Sequence, residues 1–471
     1  MDDYLNKLKS FPYPLIGVGI TAFSRIGPGL VLPNYQLLCV KDTLDNQVIG
    51  KKIKVLSVEK DFLKKGEKVG KYNTLALLKN RQVQKYLASL RFPYLVLYHS
   101  TKKVERICDR LGLTIVANRA KVRDVYENKW HFKRMLQKIG LETIPNETFK
   151  IEELDKKRLE KYLKRWKKLV LILPELTKGG GNSLVFIKTL SDFKNFTKKA
   201  KKYKNTFDLK RVILYKFITG DSPSITGCIT RHGVLTGIVQ KQILDQPLVV
   251  NMNKGSGLYC GHDWSFKTYS SKIQAQAESL ARSIGSYMGA RGYRGIFGID
   301  LIIDKETEKV YACECNPRYT GAFPVYSMLQ KENKEPPFDV FHLLELLNIN
   351  YQMNFDRVDR IYKNSKKGSH LILSNKVAKY RKTKGEIKAG VYQLGSQQLK
   401  FIREGFTTKS IKNPQKEFLL VDGVPRTGST IRPLLRMGHL IFKKSILKKD
   451  GQRLKDEVKQ SIRLIYKGIG F

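Results

Sequence analysis

Two carboxylates interrupt two otherwise apolar runs in this 471-residue chain, and no other feature constrains its fold as tightly. Asp300 stands among isoleucines and a leucine in "IFGIDLIID", and Glu314 stands between two cysteines in "VYACECNPR". Side chains alternate along a strand, so Ile296, Gly298, Asp300 and Ile302 share one face. On the next strand Val310, Ala312, Glu314, Asn316 and Arg318 share a face, with Tyr311, Cys313 and Cys315 turned into a core. The intervening "DKETEK" reads as a turn, and a hairpin centred at Thr307 sets Asp300 opposite Glu314, each seven residues away. Opposed Cβ atoms lie roughly 5 Å apart, where like charges destabilise a sheet. A shared proton relieves the repulsion; so does a divalent cation, and hard oxygen ligands on a rigid hairpin suit Mg²⁺. Asn316 adds a neutral oxygen, and Arg318 faces a second anion such as phosphate or carboxylate. The weaker alternative makes Asp300 a turn cap and pairs Glu314 with a lysine.

The length and a 41% hydrophobic content are enough for two to four domains. No run of about 18 apolar residues exists, so a membrane span is not expected. "MDDYLNKLKSFPYPLIG" has acids ahead of a short apolar stretch, unlike a signal peptide. Six cysteines without a CxxC pair or a disulfide-like spacing suit a reducing, cytoplasmic setting. A formal charge of +46 raises nucleic acid, an anionic surface or an acidic partner. Yet "KKAKKYKN" (198–205) and "KSILKKDGQRLKDEVKQ" (444–460) interleave few aromatics, and no zinc-finger or RNA-recognition signature accompanies them. The charge therefore reads as a lysine background on solvated faces, and nucleic acid is not the expected partner.

Along residues 1–120, "PLIGVGI", "YQLLCVK", "YLVLYHS" and "LTIVANR" read as strands and "VERICDRLG" as a helix stopped at Gly112. "NKWHFKRMLQKIG" (128–140) spaces Trp130, Phe132, Met135, Leu136 and Ile139 for a helix that ends at Gly140. A charged helix (151–168), "KLVLILPEL", the loop "TKGGGN", "LVFIK" and a further helix follow. "RVILYKFI", "SITGCITRHG" and "VLTGIVQKQI" are strand-like; "QAQAESLARSIGSYMG" is a helix, and "DVFHLLELLNI" closes the segment. From about residue 356, "SHLILSN", "GEIKAGVYQL", "KEFLLVDGV" and "GHLIFKK" are basic and strand-like. The expected organisation is an α/β domain (1–120), a central domain (121–355) and a small β-rich domain (356–471).

Taken in order, "NKWHFKRMLQKIGLETIP", "TKGGGNS", "RVILYKFITGDSPSI" and the acid hairpin resemble the ATP-grasp superfamily over roughly residues 118–350. The likeness is to biotin carboxylase and the carboxylate–amine ligases, and "ECNPR" in this setting is its most specific element. The resemblance implies an α/β protein. Its ATP-grasp core of two α+β lobes would follow a Rossmann-like pre-ATP-grasp domain and precede the β-rich C-terminal one. It further implies ATP and Mg²⁺, a small-molecule carboxylate converted to an acyl phosphate, and a nucleophile, expected to be an amine. Carried over by motif, Asp300, Glu314 and Asn316 hold the metal, and Arg318 steadies the acyl phosphate or transferring phosphoryl. Lys129 binds nucleotide, Lys178, Gly179, Gly180 and Gly181 wrap the phosphates, and backbone groups of Tyr215, Lys216 and Phe217 meet the adenine edge.

Two departures stand out. Leu173 occupies the place where the family commonly has a lysine, leaving Lys178 to supply that charge, and the hinge "ILYKF" lacks the family's usual acid. "GSGLYCGHDWS" (255–265) is read as a turn anchored by Trp264, with His262 outside the site. No biotin-bearing "AMKM"-like site occurs, which favours ligation over biotin carboxylation. A dinucleotide fingerprint, "GVGITA" (17–22) with Asp42, fails because "FSRIGPGLVLPN" leaves no room for a crossover helix. The remaining alternative is a non-catalytic ATP-binding regulatory or scaffold protein, possibly one that binds polyanions.

Overall fold

The computed structural model describes residues 3–64, 66–67, 69–176, 183–204, 206–252, 256–266, 269–377 and 379–471. Its first unit is a five-stranded parallel sheet ordered Lys54–Ser57, Gln36–Cys39, Leu15–Gly19, Tyr94–Leu97, Thr114–Val116. Leu15–Gly19 is buried at every position, as the central strand of a sheet covered on both faces must be. Two 3₁₀ turns, Phe23–Arg25 and Pro28–Leu30, follow it in place of a crossover helix, so the glycine pattern at 17–22 is a strand end and a tight loop.

A four-stranded antiparallel sheet (Asn146–Lys150, Arg211–Lys216, Leu169–Ile172, Leu184–Ile187) forms the small lobe with helices Lys156–Trp166 and Phe193–Tyr203. Leu159, Leu171, Phe196 and Leu214 make its own core. The second lobe is built on strand Gly295–Asp304, which pairs Ser224–Thr230 on one side and Val310–Asn316 on the other. Helix Ser271–Gly289 lies on this sheet, burying Ala277, Ala281 and Ile284 against Phe297 and Ile299. Its small residues let helix and sheet approach closely: a Cβ on Gly285 would meet Val234 Cγ1 at 2.7 Å.

The β-rich segment expected from residue 356 completes a sheet that begins far earlier. Lys241–Leu244 and Tyr259–Asp263 are the first two strands of a seven-stranded antiparallel sheet continued by Ser369–Ser374, Arg436–Phe442, Glu417–Val421, Gly390–Gln393 and Phe401–Arg403. One large core joins Phe23 and Leu37 to Trp264, Phe341, Leu371 and Leu440. The lysine-rich stretch near 455 resolves into helix Asp456–Ile469, which buries Ile462, Ile465 and Ile469 beneath a basic outer face. Among the described residues no helix is long and apolar enough to cross a membrane.

A polar latch joins the first sheet to the C-terminal segment. Asp45 Oδ1 accepts the Gly423 and Val424 N–H groups at 3.0 and 2.9 Å, and Thr21 Oγ1 donates to Asp422 Oδ1 at 2.6 Å. Burial, reinforced by the nearby Asp422, lifts the Asp45 carboxyl from 3.8 to about 6. The folded state therefore holds this proton more tightly than the unfolded chain. The stability it gives is complete below the unfolded value and is lost as the pH rises through about 6, on the order of 3 kcal/mol in all. Denaturant unfolding between pH 4.5 and 7.5 should show that fall in the wild type. It should be flattened in Asp45→Asn, which keeps the Oδ1 acceptor; parallel curves would show that Asp45 does not titrate there.

Candidate active site

The hairpin that carries the two acids is not regular. Ile303 pairs with Val310, Ile302 with Tyr311 and Leu301 with Ala312, a register that would set Asp300 opposite Cys313. A bulge absorbs Cys313, and beyond it Asp300 faces Glu314, Ile299 faces Cys315 and Gly298 faces Asn316. The expected opposition of the acids holds, but simple alternation does not. Val310 and Ala312 lie with Cys315 in the core beneath helix Ser271–Gly289, whereas Tyr311 and Cys313 sit with Ile302 on the other face.

Asp300 accepts hydrogen bonds from Gln242 Nε2 (2.7 Å) and Asn316 Nδ2 (3.1 Å). Burial first, and the Glu314 charge second, raise its pKa to about 6. Glu314 is paired with Lys129. The cap places that lysine: the Asn128 side chain accepts the Trp130 and His131 N–H groups at 3.0 and 3.1 Å, which starts helix Lys129–Lys138 at Lys129. Glu314 thus does pair with a lysine, and it is the one the resemblance assigns to nucleotide. Two carboxylates against one lysine leave a negative charge in a largely dehydrated site, a donor set that fits Mg²⁺ completed by phosphate oxygens.

Arg318 is committed to protein. Nε donates to Glu127 Oε1 (2.9 Å), Nη1 to Tyr98 Oη (2.8 Å) and the Tyr319 carbonyl (3.2 Å), and Nη2 to Asn316 Oδ1 (2.9 Å). The anion it faces is Glu127. Asn316 is a strap between Asp300 and Arg318, and its Oδ1 would have to leave Arg318 to become a metal ligand.

These groups line a cleft of about 1170 Å³ between the small lobe and the sheet of the acid hairpin. Lys129, Tyr215, Lys216, Phe217, Asp300, Glu314, Asn316 and Arg318 all reach it. The backbone donors expected at Lys216 and Phe217 are spent on the Pro145 and Lys168 carbonyls (2.9 and 3.0 Å), because strand pairing continues through them. The next residue, Ile218, lies past the ladder, and its N–H makes no hydrogen bond among the described residues. Leu173 is fully buried in the small-lobe core, its N–H bonded to the Ser183 carbonyl at 3.0 Å. Lys178, Gly179, Gly180 and Gly181 lie outside the described residues.

Sequence reasoning missed part of the cleft floor. Ser224 pairs across the sheet with Asp300, and its Oγ lies 3.1 Å from His262 Nε2, while His262 Nδ1 is 2.7 Å from Tyr259 Oη. His262 is buried beside Trp264 and lines the cleft; burial lowers its pKa to about 3, so the ring is neutral. Only sheet pairing brings residues 224, 242, 259 and 262 to the acids, and nothing local in the sequence signals it.

The sequence over residues 126–322 matches the family model of an ATP-grasp domain. The chain carries an ATP-grasp domain. A search of curated proteins by sequence finds no match. Among solved structures, the chain is similar to the biotin carboxylase domain of Hydrogenobacter thermophilus 2-oxoglutarate carboxylase, in complex with MgADP, ADP and bicarbonate. That match has a TM-score of 0.59 at 12% identity, over 92% of this chain and 86% of that one. Biotin carboxylase from Campylobacter jejuni gives 0.60 at 10% identity, over 92% and 88%. N5-carboxyaminoimidazole synthase from Aspergillus clavatus, with ADP and 5-aminoimidazole ribonucleotide, gives 0.53 at 11% identity, over 96% and 98%. The ATP-grasp domain thus spans the small lobe and the acid hairpin, and the fold likeness extends over the flanking segments.

In the ATP-grasp cleft Lys129 stands where a cation would neutralise Glu314. Lys129→Met should destabilise the protein in Mg²⁺-free buffer by about 1–3 kcal/mol, the cost of an uncompensated, mostly buried charge. MgCl₂ alone should then raise the melting temperature of the variant more than that of the wild type. Equal responses would show that lysine and cation do not share a place.

Proposed function

We propose that this protein is an ATP-dependent ligase that transfers the γ-phosphoryl group of ATP to a carboxylate, releasing ADP, and then passes the acyl group to a nucleophile, in the simplest case an amine, releasing phosphate. The observation that carries this reading is the Asp300–Glu314 pair, opposed at the base of a large cleft and compensated by one lysine. Asp300 and Glu314 would hold Mg²⁺, with Asn316 joining them after releasing Arg318. When bound, Mg²⁺ neutralises charge on the transferring phosphoryl group. Lys129, freed from Glu314, turns to a phosphate oxygen. Arg318 is held by Glu127 and Tyr98 in a fixed orientation, so its guanidinium is set before substrate arrives rather than ordered by it. The adenine edge is assigned to the Ile218 N–H, beyond the spent donors of Lys216 and Phe217, and the glycine loop at 178–181 to the phosphates.

Six unpaired cysteines, five of them buried, suit the reducing cytoplasmic setting expected of such an enzyme. Leu173, a core residue where the family commonly has a lysine, favours the second reading, a protein that binds nucleotide without turning it over.

Thermal unfolding with Mg²⁺-ATP tests both readings. At 100 times the dissociation constant, linkage gives about 2.7 kcal/mol of stabilisation in the wild type, and this should vanish in Asp300→Asn and Glu314→Gln. ADP release with bicarbonate, small carboxylates and amines then separates ligase from sensor, the sensor showing the shift without turnover. No shift in folded wild type removes ATP from the account.

A further inference from the structure

The outer wall of the cleft is built from backbone that side chains rarely adopt. Asp245 (φ +51°) and Leu434 (φ +66°) both lie in the left-handed region, and both line the cleft. Aspartate tolerates that conformation; a leucine there is strained, and glycine would take the position without steric cost. Strain of this kind persists only where surrounding contacts impose it, and it collects at ligand clamps.

Those contacts are present on both sides. The fully buried Asn375 donates through Nδ2 to the carbonyls of Lys379, Ile431 and Arg432 at 2.9, 3.1 and 3.2 Å, and its own carbonyl accepts the Leu434 N–H at 2.8 Å. The side-chain amide and the backbone carbonyl of Asn375 thereby pin the turn and leave Leu434 45% exposed on the cleft. Across from it, Asp245 accepts the Gly257 and Leu258 N–H groups, both at 2.8 Å, and so fixes Leu258 in the cleft wall. Leu244 and Val250 complete an apolar surface.

We infer that the strained Leu434, with Leu244, Val250 and Leu258, forms a subsite for the aliphatic body of an organic acid. This rests on the ligase reading and names its substrate class: a branched aliphatic carboxylate, not a small or highly polar one. An apolar wall held against its own backbone preference selects by buried area, and a branched five-carbon body discriminates strongly against a methyl group.

Calorimetry on the full chain with 4-methylpentanoate as probe and acetate as control tests the subsite directly. The wild type should bind the probe at least tenfold more tightly than acetate, and Leu434→Glu should abolish that preference. Leu434→Gly should melt at a higher temperature than wild type, being relieved of strain, while binding the probe at least threefold more weakly. Equal binding of probe and acetate, no saturable probe binding, or affinity unchanged in either variant would overturn the inference. The Mg²⁺-ATP shift on the same samples separates the two claims: probe binding without a nucleotide shift would end the ligase reading and leave the subsite standing. A nucleotide shift without probe binding would do the reverse.

Discussion

Two carboxylates facing each other across a buried hairpin must be neutralised, and the architecture around them follows from that requirement. Asp300 and Glu314 oppose only because Cys313 is expelled into a bulge. Without that bulge Asp300 would face the Cys313 thiol and the acids would not meet. Once opposed, they draw in partners from across the chain: Lys129 from a capped helix start, Gln242 from the long antiparallel sheet, and Asn316 from the same strand. Even so, burial first and the Glu314 charge second raise the Asp300 pKa to about 6.

The rest of the molecule fixes where these side chains point. Arg318 connects the hairpin to Tyr98 at the end of a strand of the parallel sheet and to Glu127 on the helix before Lys129. The C-terminal strands are not an appendage, because they extend a sheet whose first strands carry Gln242 and His262. The latch from Thr21 and Asp45 to residues 422–424 then holds the two ends of the chain together behind the cleft. The fold likeness to the biotin carboxylase domain extends over 92% of the chain.

Much of this was legible in the sequence. Alternation and glycine stops were enough for four of the five strands of the first sheet and for the helix at Lys129, because each rests on contacts within a few residues; the opposition of Asp300 with Glu314 was expected from a regular hairpin, whereas a bulge produces it. The α/β class followed from the same local patterns, and the ATP-grasp family from the resemblance carried by the "ECNPR" hairpin and its lead-in segments. The tertiary structure alone decided the bulge, the spending of the Lys216 and Phe217 N–H groups on sheet pairing, and the commitment of Arg318 to Glu127. It also decided that Ser224, Gln242, Tyr259 and His262 reach the acids, and that the segment after 356 shares a sheet with residues 241–263. Sequence periodicity records which face a residue presents, a property of the local backbone. It carries no record of which distant strand lies alongside, since that depends on a hydrogen-bond register and a burial balance that exist only once the chain has closed on itself.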